Sequence, residues 1–303
     1  MEHRNGVWFG IAAYAVWGLS PLFWNLVEGV ATIDLLLHRA LWAIPMLGLA
    51  ITLRRQWPEF ATGYASLRPR LATIGAAALL FVNWGVYVWA VTHDQIVEAS
   101  LGYFMNPLVS VALGVVVLGE RLRRVQWTSV GLACVGVAYM ALQLGSLPWV
   151  SLTLAFSFGT YGLLKKRSDA PKPLIGLFGE VSVMAIPVLI ALIATNPESD
   201  AAFGTSAGVS LFLISAGAVT AIPLLLFGAA AKRIPLSTIG VLQYVAPTLQ
   251  FLLGVLVYGE DLSTHRLIGF LFVWAALALY SWDGWTNRNG DQNPESRIQS
   301  PEL

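Results

Sequence analysis

The chain has 303 residues, 56% of them hydrophobic and 12% charged, with a net charge of +1 and a mean hydropathy of +0.67. A water-soluble domain carries about 25% charged residues, so this chain cannot dress an ordinary water-facing surface, and its long apolar runs make it an integral membrane protein. The lone cysteine, Cys134, excludes an internal disulfide, and the net charge by itself points to no acidic partner.

Ten segments reach or approach the roughly 20 residues needed to cross hydrocarbon. They are 7–27, 33–53, 71–91, 97–118, 125–143, 147–165, 174–194, 208–231, 236–258 and 265–283. The first runs straight into further membrane sequence without a small-residue cleavage site, so it is expected to be retained. Loops rich in Gly, Pro or charge separate the spans. Beyond Gly284 the composition turns polar, and 285–303 is expected to be a disordered tail.

With the amino terminus placed inside, the inner segments collect 16 of the 18 basic residues, all but Arg39 and Arg266. The outer loops carry Glu28, Asp34, Asp94, Glu98, Glu198, Asp200, Glu260 and Asp261. The positive-inside rule therefore puts both termini in the cytoplasm, and the base-rich loops are topology signals rather than nucleic-acid sites.

One stretch occurs twice. Residues 97–120 align without gaps on 237–260, matching Pro107 with Pro247, Gly114 with Gly254, and Gly119-Glu120 with Gly259-Glu260. Matched Pro, Gly and Glu carry information where matched aliphatics do not, because each sets a backbone or charge requirement. The first copy is followed by Arg121, Arg123 and Arg124; the second is followed by Asp261, with no base before Arg266. The same motif thus carries opposite flanking charge. Five spans per half is an odd number, so the halves lie upside down to one another. Ala43-Ile44-Pro45, echoed by Ala185-Ile186-Pro187, extends the match upstream. The expected architecture is an all-α integral membrane protein of ten transmembrane helices, two inverted five-helix repeats (1–144 and 145–284) around a central cavity. Inverted repeats mark secondary transporters, with substrate held near the midplane.

Polar side chains inside spans are expensive unless they face protein or water. The second span holds His38 and Arg39, and the seventh holds Glu180. On the Pro45/Pro187 match His38 and Glu180 are equivalent, which sets them on the order of 15 Å apart along the membrane normal at 1.5 Å per residue. They are expected at two depths of the cavity, Arg39 able to hold an anionic or carbonyl group and Glu180 to titrate or meet a cation. Asn83 and Tyr87 share a face of the third span; Tyr103, Asn106 and Ser110 share one of the fourth. Gln243 and Gln250 occupy the positions of Tyr103 and Ser110 in the second copy, beside Tyr244, and Tyr161 lies in the sixth span. These residues suit a cavity lining for a small amphipathic solute; interhelical hydrogen bonding uses the same residue types. Pro107 and Pro247 are expected to kink or hinge their helices. Glu120 and Glu260 end helices where the dipole disfavours an acid, so each is expected to have a specific structural partner.

Other chemistries find no support. The G-x-S-x-G match at 204–208 has no strand before it. There is no nucleotide-binding P-loop and no metal-ligand cluster, so neither cofactor nor metal is expected.

The stretch AYAVWGLSPLFW, with Trp17 to Pro21 its most specific part, the LLLHR of the second span and the NP…GE pattern of the fourth resemble the RarD branch of the EamA family in the drug/metabolite transporter superfamily. The resemblance spans nearly the whole chain except the tail. It implies a ten-helix permease of the bacterial inner membrane with a central cavity, and no enzyme activity. Ala246 stands where the first copy has Asn106, so the polar site is not symmetric. The leading expectation is a secondary transporter exporting small organic solutes or drugs by alternating access, with proton coupling through Glu180 left open. Uptake of an amino acid or related metabolite is the alternative within transport, and an intramembrane lipid-modifying enzyme using His38 the alternative outside it. Substrate, coupling ion and number of copies, a homo-oligomer included, stay open.

Overall fold

The computed structural model describes residues 2–26, 30, 32–143, 148–167, 172–194, 203–259 and 264–290. These are helical, with no strand among them. The elements are α1 (Glu2–Trp24), α2 (Thr32–Leu53), α3 (Trp57–Gly63), α4 (Leu67–Thr92), α5 (Ile96–Val116), α6 (Arg124–Leu142), α7 (Trp149–Arg167), α8 (Pro173–Ala194), α9 (Ala207–Ala231), α10 (Leu236–Gln243), α11 (Val245–Leu256) and α12 (Thr264–Gly290).

Nine stretches among the described residues are long and apolar enough to cross a membrane, α10 and α11 counting together as one. The exception is α7, which bears Ser151, Thr153, Ser157 and Thr160 and ends in Lys165, Lys166 and Arg167. It is nonetheless deeply packed, with Val150, Ala155 and Tyr161 fully buried. Each expected span coincides with a helix to within a few residues, with three differences. A short α3 fills part of the segment expected as loop. α12 runs to Gly290 and so takes in the first six residues of the segment expected as a disordered tail, its last turns supported by Thr286 Oγ1 donating to Trp282 O (3.0 Å). The ninth span is broken at Tyr244.

That break follows from Pro247. Proline has no N–H to offer the carbonyl of Gln243 four residues back, and the chain tightens there, Tyr244 N bonding Val241 O (3.2 Å) before regular bonding resumes from Thr248 N to Tyr244 O (3.1 Å). Its counterpart Pro107 sits inside an unbroken α5.

Helix packing follows a twofold pattern. α2 packs on α8, α5 on α10, and α6 on α12. α1 packs on α9, as α4 does on α7. α2 packs on α9, as α4 does on α8. α5 packs on α7, as α10 and α11 do on α1. Exchanging α1, α2, α4, α5 and α6 for α7, α8, α9, α10–α11 and α12 maps these pairs onto one another. At the α5–α10 crossing Gly240 allows the closest approach, since a Cβ there would lie 2.6 Å from the carbonyl oxygen of Pro107.

Candidate functional site

Ionisable and aromatic side chains gather in two clusters joined by a polar column. The first cluster joins the ends of α7 and α8. Glu180 Oε1 accepts from Lys165 Nζ (2.7 Å) and Oε2 accepts from the Tyr161 hydroxyl (3.0 Å). Glu180 is 3% exposed and Lys165 4%. A buried ion pair holds only when its remaining lone pairs are satisfied, and here both carboxylate oxygens have donors. Lys165 lies over Gly228 of α9, where a Cβ would meet its Cε in van der Waals contact at 3.4 Å. Tyr64, between α3 and α4, inserts its hydroxyl 3.0 Å from Thr73 Oγ1 and against Gly179, where a Cβ would collide with it. Burial, reinforced by the charge of Glu180, raises the Tyr64 pKa against the opposing effect of the Thr73 hydrogen bond.

Next to this cluster sits the Gly-Glu motif. Gly119 has φ +68°, and its counterpart Gly259 has φ +65°, a left-handed turn that explains the glycine in both copies. The turn sends Glu120 back over Gly114, whose missing side chain leaves the carboxylate its space: a Cβ would lie 2.6 Å from Glu120 Oε2. Glu120 then accepts from the backbone N–H of Leu236 (2.6 Å) and Ser237 (2.8 Å), capping α10 in the other half of the chain. Lys166 Nζ stands 3.9 Å from Glu120 and donates to Ile234 O (2.7 Å). Glu120 thus has two backbone amides and a nearby lysine around it. Glu260 lies outside the described residues.

The second cluster lies where α2, α4 and α5 meet. The Arg39 guanidinium sits over the Trp84 ring, 4.4 Å from its centroid. Tyr87 and Tyr103, their rings 6.3 Å apart and tilted by 60°, lie within electrostatic reach of it. Arg39 Nε is buried without a hydrogen-bond partner. His38 points elsewhere: it stacks on Phe203 (5.1 Å), and its Nδ1 accepts from Trp42 Nε1 (3.3 Å).

Between the clusters runs the column. One turn beyond Tyr103, Asn106 is buried with Oδ1 unpartnered. Ser110 donates to Gln243 Oε1 (3.3 Å), tying α5 to α10. The Tyr14 hydroxyl, beside Gln243, has no partner in hydrogen-bond geometry. Tyr14, Trp17, Phe158, Phe227 and Tyr161 then form a ring-to-ring contact chain that ends at Glu180.

Two expected lining residues tie helices together. Asn83 Nδ2 donates to Leu154 O (3.0 Å) and Ser157 Oγ (2.9 Å), joining α4 to α7, and the Tyr244 hydroxyl donates to Phe104 O (3.2 Å). Residues that sequence reasoning leaves out are Lys165, taken only as a topology charge, and Tyr14 and Tyr64. For Lys165 a signal existed: it falls four residues after Tyr161, on the same helix face. Two recesses stand out among the described residues. A groove of about 500 Å³ beside α3 is lined in part by Glu59, Arg68 and Lys172. A void of about 10 Å³ between α5, α6, α10 and α12, bordered by Pro107 and Tyr244, is room for one water.

Comparison with known proteins extends these observations. The EamA-like transporter family matches residues 4–142 and, a second time, 147–282. Protein RarD of Streptomyces exfoliatus is 46% identical over 283 residues, covering 93% of this chain and 90% of that protein. An uncharacterized transporter of Pseudomonas aeruginosa is 43% identical over 285 residues, covering 93% of this chain and 95% of that one. A protein crystal structure at 20% identity superposes with a TM-score of 0.71 over 92% of this chain and 97% of the other, which speaks for the fold alone.

An all-helical, multi-pass chain with charged groups held in its interior is thereby a membrane transporter and not an enzyme. It belongs to the EamA-like transporter family.

Proposed function

We propose that the chain is a secondary transporter of small organic solutes or drugs, built from ten spans in two inverted halves, 1–144 and 145–284, and working by alternating access. α7 is the tenth span, its polarity tolerated because α4 and α5 enclose it. The carrying observation is the polar and aromatic column between Arg39 and Glu180, to which both halves contribute. The twofold helix pairing and the repeated family match support two equivalent halves, and such halves give outward- and inward-open states of similar energy. The charge distribution supports residence in the bacterial inner membrane with both termini cytoplasmic. On that orientation the Glu180 cluster faces the cytoplasm and the Arg39 cluster faces outward. Export is the proposed direction. Glu180 is the proposed proton-coupling group, taking a proton when its bond to Lys165 opens.

The test compares metabolites in cells lacking and overproducing the protein, then measures flux of the most altered solute in proteoliposomes. Gradient-driven flux is expected, and Glu180→Gln is expected to remove its dependence on a pH gradient. Empty vesicles moving the solute equally fast would defeat the transporter assignment. Unchanged pH dependence in Glu180→Gln would defeat the coupling assignment alone.

A further inference from the structure

The charge ledger of the interior is uneven. Glu180 has Lys165, Glu120 has Lys166 and two amides, and the buried Asp283 has Arg123. Arg39 has no acid: it belongs to none of the ion pairs among the described residues, and its buried Nε meets no acceptor. Asp34, on the same helix, lies within electrostatic reach of His38, and the groups that act on Arg39 are Tyr103 and Tyr87. Glu98, five residues before Tyr103, is buried with its own Oε2 unpartnered and forms no pair with Arg39. A part-buried guanidinium packed among aromatic rings, its Nε out of reach of water and without a counter-charge, is disfavoured, so the arrangement is complete only when an anion enters.

The surroundings narrow the anion further. A guanidinium presents a planar fork that matches a carboxylate in two parallel hydrogen bonds. The Arg39 guanidinium rests on the Trp84 ring, 4.4 Å from its centroid. Tyr87 and Tyr103 act electrostatically on Arg39, and among the described residues their hydroxyls make no hydrogen bond, so they can donate to the same carboxylate. Tyr103 is 42% exposed as a residue although it sits among α2, α4 and α5, which leaves it accessible to a second flat group. Deeper along α5, the unpartnered Asn106 Oδ1 can accept from a donor on the far end of the solute.

We infer that the Arg39, Trp84, Tyr87 and Tyr103 cluster is an anion subsite that selects solutes joining a carboxylate to a flat, ring-bearing apolar body. The inference deepens the proposed transport function and rests on it for its physiological role, while the binding itself can be read without flux.

Purified protein in nanodiscs is heated with two matched sets at increasing concentration: benzoate, benzamide and benzylamine; indole-3-acetate, its amide and tryptamine. A ligand that binds only the folded state raises the unfolding temperature. The carboxylates are expected to raise it and the amides and amines to leave it unchanged. Arg39→Gln is expected to abolish the shift, Arg39→Lys to reduce it, and Tyr103→Phe to weaken apparent affinity about tenfold, the worth of one hydrogen bond to a charged group. Should Arg39→Gln fail to fold, the wild-type ranking of carboxylate over amide and the Arg39→Lys response decide the matter. Equal shifts from amides or amines, no shift from either carboxylate, or an undiminished shift in a folded Arg39→Gln protein would each overturn the subsite. Flux in proteoliposomes separates the two claims. Carboxylate binding without flux of any solute sinks transport and leaves the subsite; flux of a neutral solute without carboxylate binding does the reverse.

Discussion

Arg39 and Glu180 are ionisable residues within membrane-crossing helices at positions that match, to within one residue, between the two halves of the chain, yet the protein surrounds them in opposite ways. Glu180 has an ammonium and a phenol on its two oxygens. Arg39 has an indole face and an unsatisfied N–H. A closed ion pair lowers the energy of the conformation that contains it and must be broken for that end to open. An open cation raises the energy of its conformation until a ligand arrives. The first arrangement resembles a latch and the second a receptor, and a transporter needs one of each, since a site satisfied at both ends has no use for a solute.

The largest effect tests the latch. Removing one partner of a buried pair leaves an uncompensated charge and costs about 3–5 kcal/mol. Glu180→Gln and Lys165→Met are each expected to lower unfolding free energy by about that much, and Lys165→Met with Glu180→Gln together to recover most of the loss. A double-mutant cycle by denaturant titration in micelles measures this. Independent, additive effects would mean that the two side chains do not depend on one another, and the contrast with Arg39 would collapse.

Much of the fold is legible in the sequence because the bilayer demands it: apolar runs long enough to span are few ways from being anything else. The Gly114, Gly119, Glu120 set is legible too, since repetition of costly residues has a geometric cause, here a left-handed turn and a space for a carboxylate. The pairing of Lys165 with Glu180 is less so. Lys165 belongs to a basic cluster with Lys166 and Arg167 at a helix end, and the same charges that report topology conceal the one that turns inward. Nor does the sequence reveal that Asn83 and Tyr244 bond backbone carbonyls of neighbouring helices, α7 and α5, because a lining amide and a bridging amide are the same residue until their neighbours are known. Nor does the sequence separate Pro247, at which the helix breaks, from Pro107, at which it does not.

Glu120 tests whether the latch has a second layer. Glu120→Ala removes two charge-assisted bonds to the α10 amides, and a loss of about 2 kcal/mol is expected. Hydrogen exchange should then show the first turn of α10 opening while α5 stays protected. Uniform loss of protection over both helices would place Glu120 in the global fold rather than at this joint.

Arg39 should respond with the opposite sign. Arg39→Met removes an unpaired cation and keeps an apolar stem, at the loss of a cation–π contact worth about 1–2 kcal/mol. The desolvation penalty of a fully buried ion is several kcal/mol, and part-buried Arg39 carries a fraction of it, about 2–3 kcal/mol. The ligand-free protein is therefore expected to gain about 1 kcal/mol in stability, read as a higher denaturant midpoint. A loss comparable to that of Glu180→Gln would show that Arg39 already has a counter-charge, and the two sites would be alike after all.

The smallest effect concerns Tyr64, which braces the latch from outside the spans. Its hydroxyl pairs with Thr73 Oγ1 at 3.0 Å and reaches the Ile175 carbonyl at 3.4 Å, so Tyr64→Phe is expected to cost about 1 kcal/mol. Burial raises the pKa of this phenol, which keeps it protonated in the folded state through the neutral range. The stability difference between wild type and Tyr64→Phe should therefore be flat with pH up to the ordinary tyrosine value of about 10. Above that value the unfolded chain loses the proton first, the wild type loses stability as pH rises, and the difference narrows. A difference that already changed between pH 6 and 8 would mean that the Tyr64 contact is coupled to another group, and the phenol would not be a neutral brace.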